Sequence, residues 1–103
     1  MYYNVSYVFD ADWSHRGAYM ENKHGVTPLD ANEALRDPWR VVLEPDPSSK
    51  SGRGIRVIGE TATGRLLSVI VMRASGVAYG VNGWDANQRD ISIYLEVNRG
   101  QKP

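Results

Sequence analysis

The sequence predicts one α+β domain: an antiparallel sheet of four to five strands, two helices in the N-terminal half and a short C-terminal helix, in the order β-α-α-β-β-β-β-α. Three observations carry this reading. The chain has 103 residues, 42% apolar and 23% charged, which suffices for one core and leaves no room for a second. Two helical segments with start and stop signals meet at Lys23-His24-Gly25. Residues 55–60 and 66–73 are apolar runs on either side of a tight turn at Ala62-Thr63-Gly64, the pattern of a hairpin.

The elements follow in order. Over residues 3–9, Tyr3, Val5, Tyr7 and Phe9 alternate with Asn4, Ser6 and Val8, as in a half-buried strand. The period then changes: Ala11, Trp13, Ala18, Tyr19 and Met20 fit a helix that Gly25 ends in a left-handed conformation. The second helix has Thr27 at its N-cap, Pro28 at N1 and Asp30 at N3, and stops before Asp37-Pro38. Residues 39–44 (WRVVLE) read as a strand, and 45–54 (PDPSSKSGRG) as a mobile loop. A three-residue turn at 62–64 sets Gly59 opposite Leu67, Val57 opposite Val69 and Ile55 opposite Val71, a wholly apolar face. The same register places Arg53 opposite Arg73 at the open end, a pair that calls for a shared anion or a carboxylate. Ser75-Gly76 turns into a strand over 77–82, and Asn87 with Asp90 at N3 caps a last helix. The domain is assigned to residues 1–97 and a flexible tail to 98–103.

Composition narrows the chemistry. With no cysteine, disulfide scaffolds, thiolate metal sites and cysteine nucleophiles are excluded. No run of about 18 apolar residues exists to span a membrane, and the start of the chain lacks the pattern of a signal peptide. A cytoplasmic location is expected. His15 and His24 have no carboxylate at a ligand spacing, so no metal or other cofactor is expected. SGRGIRVIG lacks the lysine-serine pair of a phosphate loop and leads into a strand. The net charge is zero, but residues 1–47 carry eight acids against four bases and 48–103 the reverse. That asymmetry fits an anionic ligand or an internal complementarity between the halves.

Arginine, histidine and tyrosine remain, a set that can cleave RNA without metal. A base takes the ribose 2′-hydroxyl proton, cations stabilise the phosphate, and an acid protonates the leaving oxygen. Read by themselves, Lys23 and His24 also suit cations at a helix C-terminus. Arg65 in a turn and Arg89 in a first helical turn suit solvated charges, and Tyr94 suits core.

KHGVTPLDANEALRDP (23–38) resembles the KHG-(V/L)-(S/T)-x-x-E-A…DP signature of BrnT-type ribonuclease toxins. Arg53…Ile58-Gly59…Gly64-Arg65-Leu66-Leu67-Ser68-Val69 is similar to that family's R…IG…GRLL-V pattern, and Ala86-Asn87-Gln88-Arg89-Asp90…Tyr94 to its closing helix. The order is kept over about residues 9–96. The resemblance implies a RelE-like fold and a metal-independent endoribonuclease, the toxin of a bacterial type II pair. Its implied partners are an RNA substrate and a cognate antitoxin of the ribbon-helix-helix kind. By position it implies Lys23, His24, Arg53 and Arg65 as the basic site, with His24, Arg53 and Arg65 catalytic, and Tyr94 as the family's terminal tyrosine. Beside it, Lys50, Arg73, Trp84 and Arg89 are expected from their own placement to meet RNA, with Lys23 and Tyr94. Trp84 stands where the family has an arginine, and Arg89 is the only base of QRDISIYLEV. Those departures keep a second reading open, a non-catalytic module on the same fold that binds an antitoxin-like protein. Trp84 shares its strand parity with Ala78, Gly80 and Asn82 and is expected to be partly exposed at the border of the basic surface.

Overall fold

Turn and cap residues position the elements. The computed structural model describes residues 2–3 and 10–102. Of the strand expected over 3–9, Tyr3 lies in β1 (Tyr2–Tyr3), and residues 4–9 fall outside the described residues. Helix α1 (Gly17–His24) ends where Gly25 takes a left-handed backbone (φ 67°), its N–H donating to the Glu21 carbonyl at 2.9 Å. Helix α2 (Pro28–Leu35) starts on a capping box: Asp30 N–H donates to Thr27 Oγ1, and Thr27 N–H to the Asp30 carboxylate. Asp37 then organises the turn that follows, accepting from Trp39 N–H. The strand expected over 39–44 is therefore shorter, β2 (Val41–Leu43).

Strands β3 (Gly54–Glu60), β4 (Leu66–Ala74) and β5 (Val77–Asp85) complete an antiparallel sheet of order β1-β2-β3-β4-β5. Gly59 faces Leu67, Val57 faces Val69 and Ile55 faces Val71, as the turn length predicts. The β4–β5 hairpin closes with Ser75 (φ 53°) and Gly76 (φ 79°), the two positive values that a right-twisting two-residue turn requires. Strand β5 runs past its expected end at 82, and its pairing with β4 shifts register between Ile70 and Val71.

The sheet is covered on both faces. Helices α1 and α2 bury Met20, Val26, Ala34 and Leu35 against Val57, Leu67 and Val69. Here Gly59 lets α2 rest on the strand backbone, since a Cβ on it would lie 2.1 Å from the Ala34 carbonyl oxygen. Helix α3 (Gln88–Val97) lies on the opposite face, where Tyr94 packs with Val41, Leu43 and Ile58. Both parities of β3 are buried, which leaves no solvent face there for helices to avoid.

Two expectations of mobility meet specific contacts. The 45–54 loop is tied by Asp46 N–H to the Gly54 carbonyl (2.7 Å), and Ser49 Oγ accepts from the amides of Gly52 and Gly54. In the tail, Asn98 Nδ2 donates to the carbonyls of Trp39 and Tyr94. Lys102 Nζ donates to Glu60 (2.7 Å) and to the Tyr94 hydroxyl (2.9 Å). Among the described residues no helix is long and apolar enough to cross a membrane.

Candidate functional site

The joint between α1 and α2 is held against the β3–β4 turn. That turn is built by Thr61, whose N–H donates to the Arg65 carbonyl and whose Oγ1 accepts from Arg65 N–H. Gly64 at φ 88° completes it. The Arg65 side chain is thereby aimed back at the joint, where Nη1 donates to the Gly25 carbonyl at 3.0 Å. Its other edge forks onto Asp85: Nε donates to Oδ1 at 2.7 Å and Nη2 to Oδ2 at 3.2 Å. Asp30 Oδ2 adds a third charge at 3.6 Å from Nη1. The bond to Asp85 holds the Arg65 guanidinium still more firmly protonated, and the reciprocal bond lowers the Asp85 carboxyl below its ordinary value. The pair remains open to solvent, with side chains 33% and 66% exposed.

His24 closes α1 next to this pair. Its ring lies 5.9 Å from the Trp84 ring, tilted by 57°. On its other neighbour the half-buried Trp84 meets the Arg56 guanidinium, 5.6 Å from the ring centroid. Arg56 is buried and saturated. Nε donates to Asp46 (2.9 Å), Nη1 to Asp90 (2.9 Å) and Nη2 to Ser48 Oγ (3.2 Å). Ser68 Oγ donates to the same Asp90 oxygen at 2.6 Å. One guanidinium thus joins the 45–54 loop, strand β3 and the start of α3 beside the indole.

The structure gathers His24, Arg65 and Trp84, with Lys23 exposed beside His24. It does not gather the rest. Arg53 precedes the Gly54–Met72 pair and so lies with Arg73 at the open end of the hairpin, where the 45–54 loop carries Lys50. The eight residues of strand from Arg65 to Arg73 span roughly 27 Å. Arg53 and Arg65 therefore cannot clamp one phosphate, which corrects the paired catalytic role expected for them. Arg89 is exposed in the first turn of α3.

Tyr94 is a second correction, because only 2% of it is exposed. Its hydroxyl donates to Asp37 Oδ2 at 2.5 Å and accepts from Lys102. Burial, and then the bond to Asp37, push its pKa up to about 12. It is a core residue, which corrects the surface role expected for it. Arg56, Asp85 and Asp90 are the polar residues that sequence reasoning left outside the site. A signal for Arg56 was present: it interrupts the apolar run Ile55–Ile58 on a strand with no solvent face.

Among the described residues no group of three histidines or carboxylates could hold a metal ion. No family model matches this chain, nor does any curated protein or solved structure.

Proposed function

We propose that this chain is a metal-independent endoribonuclease toxin of RelE-like topology, acting in the cytoplasm until an antitoxin, of the ribbon-helix-helix kind, covers it. The observation that supports the reading best is the joint itself, where the His24 ring lies 5.9 Å from Trp84 and Arg65 donates to the carbonyl of the neighbouring Gly25. His24 would move the proton, Arg65 would stabilise the crowded phosphate, and Lys23 would add charge. Trp84 offers a flat ring on which an unstacked base can rest.

The test is cleavage of single-stranded RNA in the presence of a chelator. Wild type should cut, and His24→Ala should lose at least about a hundredfold of the rate, the usual share of a general acid or base. Cleavage unchanged by His24→Ala would remove that residue from the mechanism. A second reading has its own support. Arg65 is already engaged by Asp85, and Leu95 on α3 is 61% exposed. Both suit a non-catalytic module that docks an antitoxin-like protein on its sheet and last helix. Absence of cleavage together with a stable complex formed with the product of an adjacent short ribbon-helix-helix gene would favour it.

A further inference from the structure

Arg65 presents Asp85 with two parallel N–H donors, one to each carboxylate oxygen. An ionised carboxylate only accepts, so whatever replaces that fork must also bring two adjacent donors. Among the four RNA bases only guanine does so on its Watson–Crick edge, through N1–H and the N2 amino group. Adenine and cytosine set a donor beside an acceptor, and uracil has one donor between two acceptors. We propose that Asp85 is the base-reading residue of this site and that it selects guanine, which takes over the two-donor position that Arg65 holds in the free protein.

The proposal rests on the RNA-directed reading above and gives that site its specificity. Three features make the exchange feasible. The Asp85 side chain is 66% exposed, so a base edge can reach it. The pair is open to solvent on the Asp85 side, so water screens the attraction that a competing two-donor partner must replace. Arg65 does not leave the site when it is displaced, because Nη1 keeps its bond to the Gly25 carbonyl and Asp30 remains beside it. Its Nε and Nη2 donors are then free for a phosphate oxygen. Base recognition and phosphate recognition become one event, with the guanidinium armed only when a guanine has taken its carboxylate. Trp84 immediately precedes Asp85 on the edge strand, so the two side chains leave opposite faces of the sheet, and the indole, 5.9 Å from the His24 ring, stays outside the guanine contact.

The experiment uses the full chain and fluorescein-labelled hexamers of 2′-O-methyl uridine in which one position is guanine, adenine, cytosine or inosine. The methylated ribose has no nucleophile, so binding is read by anisotropy without cleavage. The guanine hexamer should bind about tenfold or more tightly than the adenine or cytosine hexamers, the lower range for one bidentate contact. Inosine lacks the N2 amino group and should lose most of that advantage. Asp85→Asn, whose amide offers one donor and one acceptor, should lose the guanine preference and shift it toward adenine or cytosine, while keeping the wild-type circular dichroism. Equal affinity of the wild type for every hexamer would overturn the guanine assignment and leave the RNA reading standing. Binding of no hexamer, with no RNA cleaved, would overturn both. Competition by guanosine 5′-monophosphate as strong as by the guanine hexamer would reassign the site to a free nucleotide and overturn the RNA assignment.

Discussion

Replacing Arg56 by methionine tests whether the charge network beneath Trp84 fixes this half of the molecule. The side chain is 10% exposed, and its partners Asp46 and Asp90 are 7% and 2% exposed. Methionine fills much of the same volume but leaves two buried carboxylates without their cation. Breaking a buried pair on one side costs about 3–5 kcal/mol. For a domain of total stability about 5–15 kcal/mol that is a large fraction. It corresponds to a fall in Tm of about 12–40 °C, at roughly 4–8 °C per kcal/mol in a domain of this size. Urea denaturation followed by tryptophan fluorescence measures it. The triple variant Arg56→Met, Asp46→Asn, Asp90→Asn removes the buried charge altogether and should regain part of the loss, because the uncompensated carboxylates and not the missing contacts dominate it. A cost below about 1 kcal/mol for the single variant, as for an exposed pair, would refute the reasoning. So would a triple variant no more stable than the single one.

Three further outcomes follow from the same geometry. Gly59→Ala places a Cβ where the Ala34 carbonyl oxygen lies 2.1 Å away, so α2 must lift from β3; a denaturation loss of at least about 1–3 kcal/mol is expected, and an unchanged midpoint would show that the helix moves freely. The Tyr94 pKa of about 12 exceeds the unfolded value of about 10, so its contribution of about 2–3 kcal/mol is whole below pH 10 and disappears as pH rises through 12. A phenolate absorbance titration should find one tyrosine ionising only near that upper limit, and ionisation of every tyrosine near 10 with the fold intact would contradict it. Trp84→Ala should cost little stability, since the ring is half-buried, and should weaken RNA binding by about 1–3 kcal/mol for one lost stacked base; a melt lowered with binding intact would make the indole plain core.

Much of the scaffold was legible because its signals are local. Thr27, Pro28 and Asp30 determine where α2 begins within four residues, and a turn at 62–64 sets the parity of both strands beside it. The separation of Arg53 from Arg65 was legible by the same argument, since the register that pairs Gly59 with Leu67 sends those arginines to opposite ends. A motif that places both on one phosphate overrides geometry the sequence already contains. What was not legible depends on distant partners. Arg56 meets Asp46 ten residues away and Asp90 thirty-four away, and no periodicity announces either pairing. Helix α3 shows the spacing of Ile91, Tyr94 and Leu95 correctly, but spacing does not say which face of the sheet it covers. With α3 on the far face, Tyr94 meets Asp37 and the tail instead of solvent.

On the proposed RNA-directed reading, the distribution of charge sets how much of the surface a strand can use. The imbalance between the two halves is partly internal complementarity, as Arg56 with Asp46 and Arg65 with Asp30 join a base of the second half to an acid of the first. No ion pair among the described residues holds Lys23, Lys50, Arg53 or Arg89, all of them exposed. Lys23 lies at the joint with Arg65, whereas Lys50 and Arg53 lie at the open end of the hairpin, so an RNA strand engages both groups only by running the length of β3 and β4. Salt dependence distinguishes the two cases, because the slope of log K against log salt is about −0.7 per phosphate neutralised on a single strand. Contact at the joint alone, by Lys23 and Arg65, gives a slope of about −1.4; adding Lys50 and Arg53 brings it to about −2.8. The removal of Lys50 and Arg53 together should then halve the wild-type slope while leaving the guanine preference in place, since Asp85 sits at the other end. A steep slope that survives their removal would mean that the strand follows a different track, over Arg89 and α3.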